Sequence, residues 1–275
     1  PAFAEPQWNM FGLHYVGWNA APTFVDIDHD GDMDAFVGVA NSGDIAYFKN
    51  IGTKDAPVFA APQWGAFGLQ NVGYNAAPTF VDIDGDGDMD AFVGDGAGDT
   101  AYFQNIGTAS DPVFDGSQWN AFGLQDVGYE ASPTFSDVDH DGDMDALIGN
   151  DWGGVVFFKN IGSASTPQFA EPQWNYHVEN HNAAPTLVDI DNDGTLEVVI
   201  GDTKGLISIA SLAEVVSEKT TTPLLPNVGW RAMPTFVDID GDGDKDAFVG
   251  NSSGDTAYFE NTGTQNAPVF AERAW

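Results

Sequence analysis

Short runs rich in Thr, Val, Phe, Tyr and Ile alternate apolar with polar positions along most of the chain. Clusters of Gly, Asn, Asp and Pro separate them. Period-two alternation bounded by turn formers predicts half-buried β-strands. Between residues 78 and 114, PTFVDI reads as a strand, an acidic loop follows, and AFVGD reads as a second strand. GAGD is then a turn, TAYFQN a third strand, NIGTASD a turn and PVF a short fourth strand. Only ASLAEVVSEK, residues 210–219, has a helical pattern.

The unit repeats. DIDGDGDMD of residues 82–90 recurs as DIDHDGDMD at 26–34, DVDHDGDMD at 137–145, DIDNDGTLE at 189–197 and DIDGDGDKD at 238–246, at spacings of 49 to 56 residues. YFKNIG at 47–52 recurs as YFQNIG at 102–107, FFKNIG at 157–162 and YFENTG at 258–263. Phe and Trp stand five apart as Phe3/Trp8, Phe59/Trp64, Phe114/Trp119, Phe169/Trp174 and Phe270/Trp275, and the fourth unit lacks both this pair and the Asn-x-Gly turn. Such a period is too long for a solenoid turn and fits the four antiparallel strands of a propeller blade. The expected fold is all-β: a single five-bladed β-propeller, residues 1–275, with blades near 20–64, 76–119, 131–174, 183–225 and 232–275. Two segments compete for the outer strand of blade five, one within residues 1–19 and one at Phe270. The C-terminal copy is favoured because it can form a local hairpin with YFENTG. The N-terminal copy is then a remnant, or self-associates with the edge strand of another molecule.

Each acidic string carries carboxylates at positions 1, 3, 5 and 9 around a Gly at position 6. An extended, then turning backbone aims positions 1, 3 and 5 at one point. A backbone carbonyl at 7 and the carboxylate at 9 complete an all-oxygen shell. Six to eight hard oxygens suit Ca²⁺, whereas Mg²⁺ prefers a smaller octahedron with retained waters. Strand-like flanks and the short loop exclude an EF-hand. A merely solvated acidic loop does not explain the fivefold pattern, and clustered carboxylates without a cation repel. The candidate metal residues, for about five Ca²⁺ ions, are Asp26, Asp28, Asp30, Asp32 and Asp34; Asp82, Asp84, Asp86, Asp88 and Asp90; Asp137, Asp139, Asp141, Asp143 and Asp145; Asp189, Asp191, Asp193, Thr195 and Glu197; and Asp238, Asp240, Asp242, Asp244 and Asp246.

Lys and Arg total 8 against 42 Asp and Glu, a formal net charge of −34. That balance disfavours nucleic acid and anionic membrane surfaces as partners. No apolar run reaches the length of a membrane helix. The lack of Cys removes disulfides, thiolate catalysis and Cys-type zinc sites. An acidic, Cys-free repeat protein held by Ca²⁺ is expected to be secreted or extracellular, and Pro1 is read as the start of a mature or trimmed piece.

PTFVDIDGDGDMDAFVGDGAGDTAYFQNIG, residues 78–107, resembles the FG-GAP/VCBS repeat of the integrin α-subunit head and of fungal and bacterial propeller lectins. The resemblance covers all five units, most closely one, two, three and five. It implies a Ca²⁺ loop of the form DxDxDGxxD between the first and second strands of each blade. Its side-chain ligands would stand at positions 1, 3, 5 and 9, with Glu197 replacing Asp in the fourth unit. Propellers of that family typically have seven blades, so five is a departure.

The connections between blades are expected on the face opposite these loops, and they are rich in aromatics and amides. An aromatic or His recurs four residues before Pro as Trp18, Tyr74, Tyr129, His181 and Trp230, followed by Asn19, Asn75, Glu130, Asn182 and Arg231. Flat rings beside amides and carboxylates suit sugar stacking and hydrogen bonding. The same rings would also serve to cap the wedge between blades. Trp18, Tyr74, Tyr129 and Trp230, with Trp152 in the turn DWGG, are the candidate ligand residues, while the Trp of QW and the Phe of FGL read as packing. No nucleophile elbow or Ser/His/Asp set is recognisable. Asp44, Asp99 and Asp255 read as turn caps, and His29 and His140, at the variable position 4, as solvated. The expectation is a noncatalytic, Ca²⁺-stabilised binding module for glycans. A protein-interaction or adhesion propeller and a part of a polysaccharide-degrading enzyme are the alternatives.

Overall fold

The computed structural model describes residues 7–211, 222–264 and 266–270. A short strand, β1 (Gln7–Trp8), precedes blade one, which is β2 (Ala21–Val25), β3 (Asp34–Gly38), β4 (Ile45–Phe48) and β5 (Gln63–Trp64). Blade two is β6 (Ala77–Val81), β7 (Asp90–Gly94), β8 (Thr100–Phe103) and β9 (Gln118–Trp119). Blade three is β10 (Ser132–Ser136), β11 (Asp145–Gly149), β12 (Gly154–Phe158) and β13 (Gln173–His177). Blade four is β14 (Ala184–Val188), β15 (Glu197–Gly201), β16 (Ile207–Ser211) and β17 (Thr222–Leu225). Blade five contributes β18 (Met233–Val237), β19 (Asp246–Gly250) and β20 (Thr256–Phe259). Every pairing is antiparallel, and the five four-stranded sheets make the expected five-bladed propeller.

The second strands lie between neighbouring blades and have no solvent face, so they are buried along their length in blades one, two, three and five and apolar after their opening Asp. At each of three seams a buried Phe stacks on the Tyr of its own third strand at 4.9 Å and on the Phe of the next blade's first strand at 4.4 Å: Phe36 on Tyr47 and Phe80, Phe92 on Tyr102 and Phe135, Phe248 on Tyr258 and Phe24. The blades also approach by backbone. A Cβ on Gly38, Gly94, Gly149, Gly201 or Gly250 would lie 1.9–2.1 Å from the carbonyl oxygen of Ala76, Ala131, Ala183, Ala232 or Ala20. The last of these contacts joins blade five to blade one. The first strands surround a narrow central channel lined by their opening Ala-Pro-Thr and equivalent residues.

Three local expectations are corrected. The outer strand is the Gln-Trp pair in blades one, two and five and begins with it in blade three, because the Pro-Val-Phe run is absorbed in the Asn-x-Gly turn, where Phe114 makes only a single bridge to Asn105. Blade five is closed by the N-terminal copy, β1, which pairs with β20. Asn9 extends this closure, its N–H donating to Thr256 O at 2.9 Å and its Nδ2 to Asp255 Oδ1 at 3.1 Å. The C-terminal copy supplies Phe270, bridged to Asn261 as Phe59 is to Asn50. Its Trp275, like Phe3, lies outside the described residues. Of the stretch expected to be helical, Ala210 and Ser211 end β16, and residues 212–219 lie outside the described residues.

Candidate functional site

The acidic strings form the loops between the first and second strands of all five blades, and their own carboxylates fold them. The position-1 carboxylate accepts the position-6 Gly N–H at 3.0–3.2 Å in every blade. The position-5 carboxylate accepts the position-7 N–H at 2.8–3.3 Å. Position 4 is left-handed in all five, as His29, Gly85, His140, Asn192 and Gly241, with φ of 53–76°. The variable position is thus restricted to residues that tolerate this conformation. The result brings Asp26, Asp28 and Asp30 together, and likewise Asp82, Asp84 and Asp86; Asp137, Asp139 and Asp141; and Asp238, Asp240 and Asp242, with the grouped oxygens of each set within 4.8 Å of one another. Oxygens around an ion at about 2.4 Å lie up to about 4.8 Å apart.

The donor set fits a hard divalent cation. Oδ1 of Asp28, Asp84 and Asp191 at position 3, and of Asp32, Asp88, Asp143 and Asp244 at position 7, are buried without a hydrogen-bond partner. Buried bare carboxylate oxygens are costly unless a cation or donor meets them. The position-7 side chain is therefore a candidate donor beside the backbone carbonyl that the sequence suggested. Position 9 also braces the loop in four blades, while Oδ2 of Asp90 and of Asp246 is likewise buried without a hydrogen-bond partner. Asp34, Asp90, Asp145 and Asp246 are buried, and each accepts the N–H of Asn50, Asn105, Asn160 or Asn261 at 2.6–2.8 Å. They tie the loop to the Asn-x-Gly turn, and Tyr47 Oη adds a bond to Asp34 at 2.9 Å. Blade four differs: the Thr195 hydroxyl and N–H hold Asp193 at 2.5 and 2.8 Å, and the longer Glu197 joins Asp189 and Asp191 instead.

On the opposite face, Trp18, Tyr74, Tyr129 and Trp230 are 59–69% exposed. Their backbones are nonetheless fixed. The carbonyls of Trp18, Tyr74, Tyr129, His181 and Trp230 accept N–H bonds of 2.6–3.0 Å from Ala40, Gly96, Asp151, Thr203 and Ser252 in the turn between strands two and three of the blade each leads into. The polar residue that follows is left-handed in every case. These residues line a small cavity on the axis, where Asn75 Nδ2 donates to Glu130 Oε1 at 2.7 Å while Asn182 and Arg231 engage Glu130 Oε2. Trp152 stands edge-on to Tyr129, with ring centroids 6.0 Å apart. The Phe residues of FGL pack as expected, Phe11, Phe67 and Phe122 against Tyr258, Tyr47 and Tyr102 at 4.9–5.1 Å. The QW tryptophans do not: Trp8, Trp64 and Trp119 are 42–51% exposed, because the outer strand has no sheet beyond it. Asp44, Asp99 and Asp255 accept the side-chain amides of Asn71, Asn120 and Asn9 rather than capping the turn. Asp95, Asn150, Asp202 and Asn251 fill that role instead.

The model of the FG-GAP-like repeat matches residues 26–93, 82–148 and 137–200, together more than half of the sequence. The chain belongs to the FG-GAP-like repeat family. No curated protein matches it. Among solved structures it is similar to an exo-β-1,3-galactanase from Phanerochaete chrysosporium (9% identity, 98% of this chain and 66% of that one, TM-score 0.59). It is also similar to a GH43 β-1,3-galactosidase with galactodeoxynojirimycin (10% identity, 99% of both chains, TM-score 0.57). A lectin from Agrocybe aegerita that recognises non-reducing terminal N-acetylglucosamine is a looser match (16% identity, 90% of this chain and 64% of that one, TM-score 0.47). The chain thus spans about two thirds of the galactanase and of the lectin. At these identities the enzyme likenesses bear on the fold alone.

Two features of this FG-GAP propeller escaped the sequence. The polar series Asn19, Asn75, Glu130, Asn182 and Arg231 was visible as a repeat, but that its members converge on the axis and bond one another was not. Tyr15, 54% exposed, also lies on the aromatic face. It interrupts a position that is Asn71, Asp126 and Asn227 elsewhere, where the side chain accepts the N–H of a nearby Gly, and that break in the repeat was the available signal.

Proposed function

We propose that this FG-GAP propeller is an extracellular, noncatalytic carbohydrate-binding module, with Ca²⁺ in the acidic loops and sugar bound on the opposite, aromatic face. The observation that carries the reading is the exposure of Trp18, Tyr74, Tyr129 and Trp230 on anchored backbone at equivalent positions of four blades. Large exposed rings on a fixed frame are suited to stacking and lose little conformational freedom on binding. The edge-on pair of Tyr129 and Trp152 offers two walls to one sugar ring. The all-oxygen loops favour Ca²⁺, and weak Ca²⁺ sites fill at extracellular concentrations.

The test is a glycan array probed with the chain in millimolar Ca²⁺, followed by Trp18→Ala, Tyr74→Ala, Tyr129→Ala and Trp230→Ala titrated against the best glycan. Binding is expected to weaken between about two- and tenfold per ring removed, with unchanged melting temperature. A chain that binds no glycan, or whose binding ignores all four substitutions, refutes the reading.

A further inference from the structure

The residue after the aromatic pair that ends the third strand faces the acidic loop of its own blade, and its charge changes around the ring. In blade one Lys49 Nζ bonds Asp28 and lies 3.0 Å from Asp30 Oδ2. In blade three Lys159 Nζ bonds Asp139 and lies 3.4 Å from Asp141 Oδ2. Blade two has Gln104 there, a neutral donor to Asp84 Oδ2 at 3.2 Å. Blade five has Glu260, exposed, one residue past the Phe259–Ala247 pair that corresponds to Phe48–Ala35 in blade one, and so at the register of Lys49. The same loop geometry is therefore met by an ammonium twice, by an amide once and by a further carboxylate once.

We propose that this position grades the cation affinity of the loops: blades two and five are the tight Ca²⁺ sites, and blades one and three are weak sites that carry their own counter-ion. The inference rests on the loops being Ca²⁺ sites. An ammonium bonded to Oδ2 of a position-3 carboxylate neutralises part of the charge that would attract the ion and repels it on approach, although Oδ1 of Asp28 stays without a partner. In blade five the added negative charge works in the opposite direction. The lysines leave part of the donor set unsatisfied even in their own blades, since Asp143, 8% exposed, keeps Oδ1 without a partner, as Asp244, also 8% exposed, does in blade five. Blades one and three thus retain a site, at reduced affinity. The arrangement also spares the metal-free ring four mutually repelling carboxylates in two of its blades.

The experiment is a calorimetric titration of the metal-stripped full chain with CaCl₂, with ion counts from native mass spectrometry. The wild type is expected to fill in at least two classes. In K49Q/K159Q the weak class is expected to tighten roughly tenfold, the size of a unit charge acting on a divalent ion across a few ångströms of wet surface. Q104K/E260K is expected to weaken the tight class by a similar factor. Each substitution installs a residue that another blade already carries at this position, which guards the fold, and melting curves in Ca²⁺ check it. Ca²⁺ binding with isotherms unchanged in both double variants overturns the grading and leaves the loops as calcium sites. A wild-type chain that binds no Ca²⁺ overturns both.

Discussion

Oδ1 of Asn105 accepts the N–H of Gly107 and of Val113, both at 3.0 Å, and Asn50, Asn160 and Asn261 do the same in their blades at 2.8–3.1 Å. Their side chains are buried, so no water stands ready to replace them. Asn105→Ala leaves two backbone donors unpaired and is expected to cost about 3 kcal/mol, measured by urea denaturation; a cost under about 1 kcal/mol would show the turn closes without it. The partner of this turn, the position-9 carboxylate, has a different signature. In the metal-free chain burial raises Asp34 and Asp145 to about 6 and Asp90 and Asp246 to about 7, against the opposing bond from the Asn N–H. The folded chain therefore holds protons that the unfolded chain, with carboxyls near 3.8, has released. The contribution of these four groups is most favourable below about pH 4 and is lost as pH rises through 6 to 7. Melting temperatures of metal-stripped protein are expected to decline across that window, and added Ca²⁺ to flatten the decline. A melting temperature that rises from pH 5 to 7 without metal would contradict the assignment.

Among the elements, β1 is the one whose place depends most on distant partners. Two residues of ladder, the Asn9 bonds to Asp255 and Thr256 and the Phe11–Tyr258 contact join the start of the sequence to its last described blade. Deleting residues 1–9 is expected to lower the melting temperature by roughly 10 °C, the effect of about 3 kcal/mol in a chain of this size. A truncated chain that melts with the wild type would show that the seam between Gly250 and Ala20 holds alone. The first three strands of each blade and the acidic loops were legible because their signals are local: alternation, turn formers and the spacing of carboxylates around one Gly. The outer strand was less so. It is two residues long in blades one, two and five, and Gln118–Trp119 pairs with β8 only after the chain has finished a turn fixed by Asn105 and has passed the run Pro-Val-Phe. The choice between chain ends was misread for the same reason, since a local hairpin is visible in sequence and a ladder spanning some 250 residues is not. The axial cluster of Asn75, Glu130, Asn182 and Arg231 is a further product of ring closure, formed by one residue per blade.

For the whole molecule, the decisive feature is that the acidic loops sit at the seams. His29 Nδ1 in the loop of blade one donates to Ala109 O in blade two at 2.9 Å. A Cβ on Gly85 in blade two would meet Ala164 O in blade three at 3.2 Å, and one on Gly241 in blade five would meet Asp55 and Lys54 in blade one. Asn266 of blade five reaches Asn192 O of blade four at 3.5 Å. At these four seams an ion that fixes one loop therefore also fixes the surface against which the neighbouring turn rests; the fourth unit lacks the Asn-x-Gly turn that the loop of blade three would meet. Ligand binding to the native state alone stabilises by mass action, about 1.4 kcal/mol per site at a concentration tenfold above Kd, so five filled sites would supply about 7 kcal/mol. In a chain of this size that corresponds to a rise of roughly 20 °C between metal-stripped and Ca²⁺-loaded protein. Because the loops bridge blades, the rise is expected in one cooperative calorimetric transition, with hydrogen-exchange protection gained at the first-strand and second-strand edges of these seams. If Ca²⁺ instead produced a separate low-temperature transition and left the main one in place, the loops would be appendages and the ring would owe its closure to the Phe wedges and glycine contacts alone.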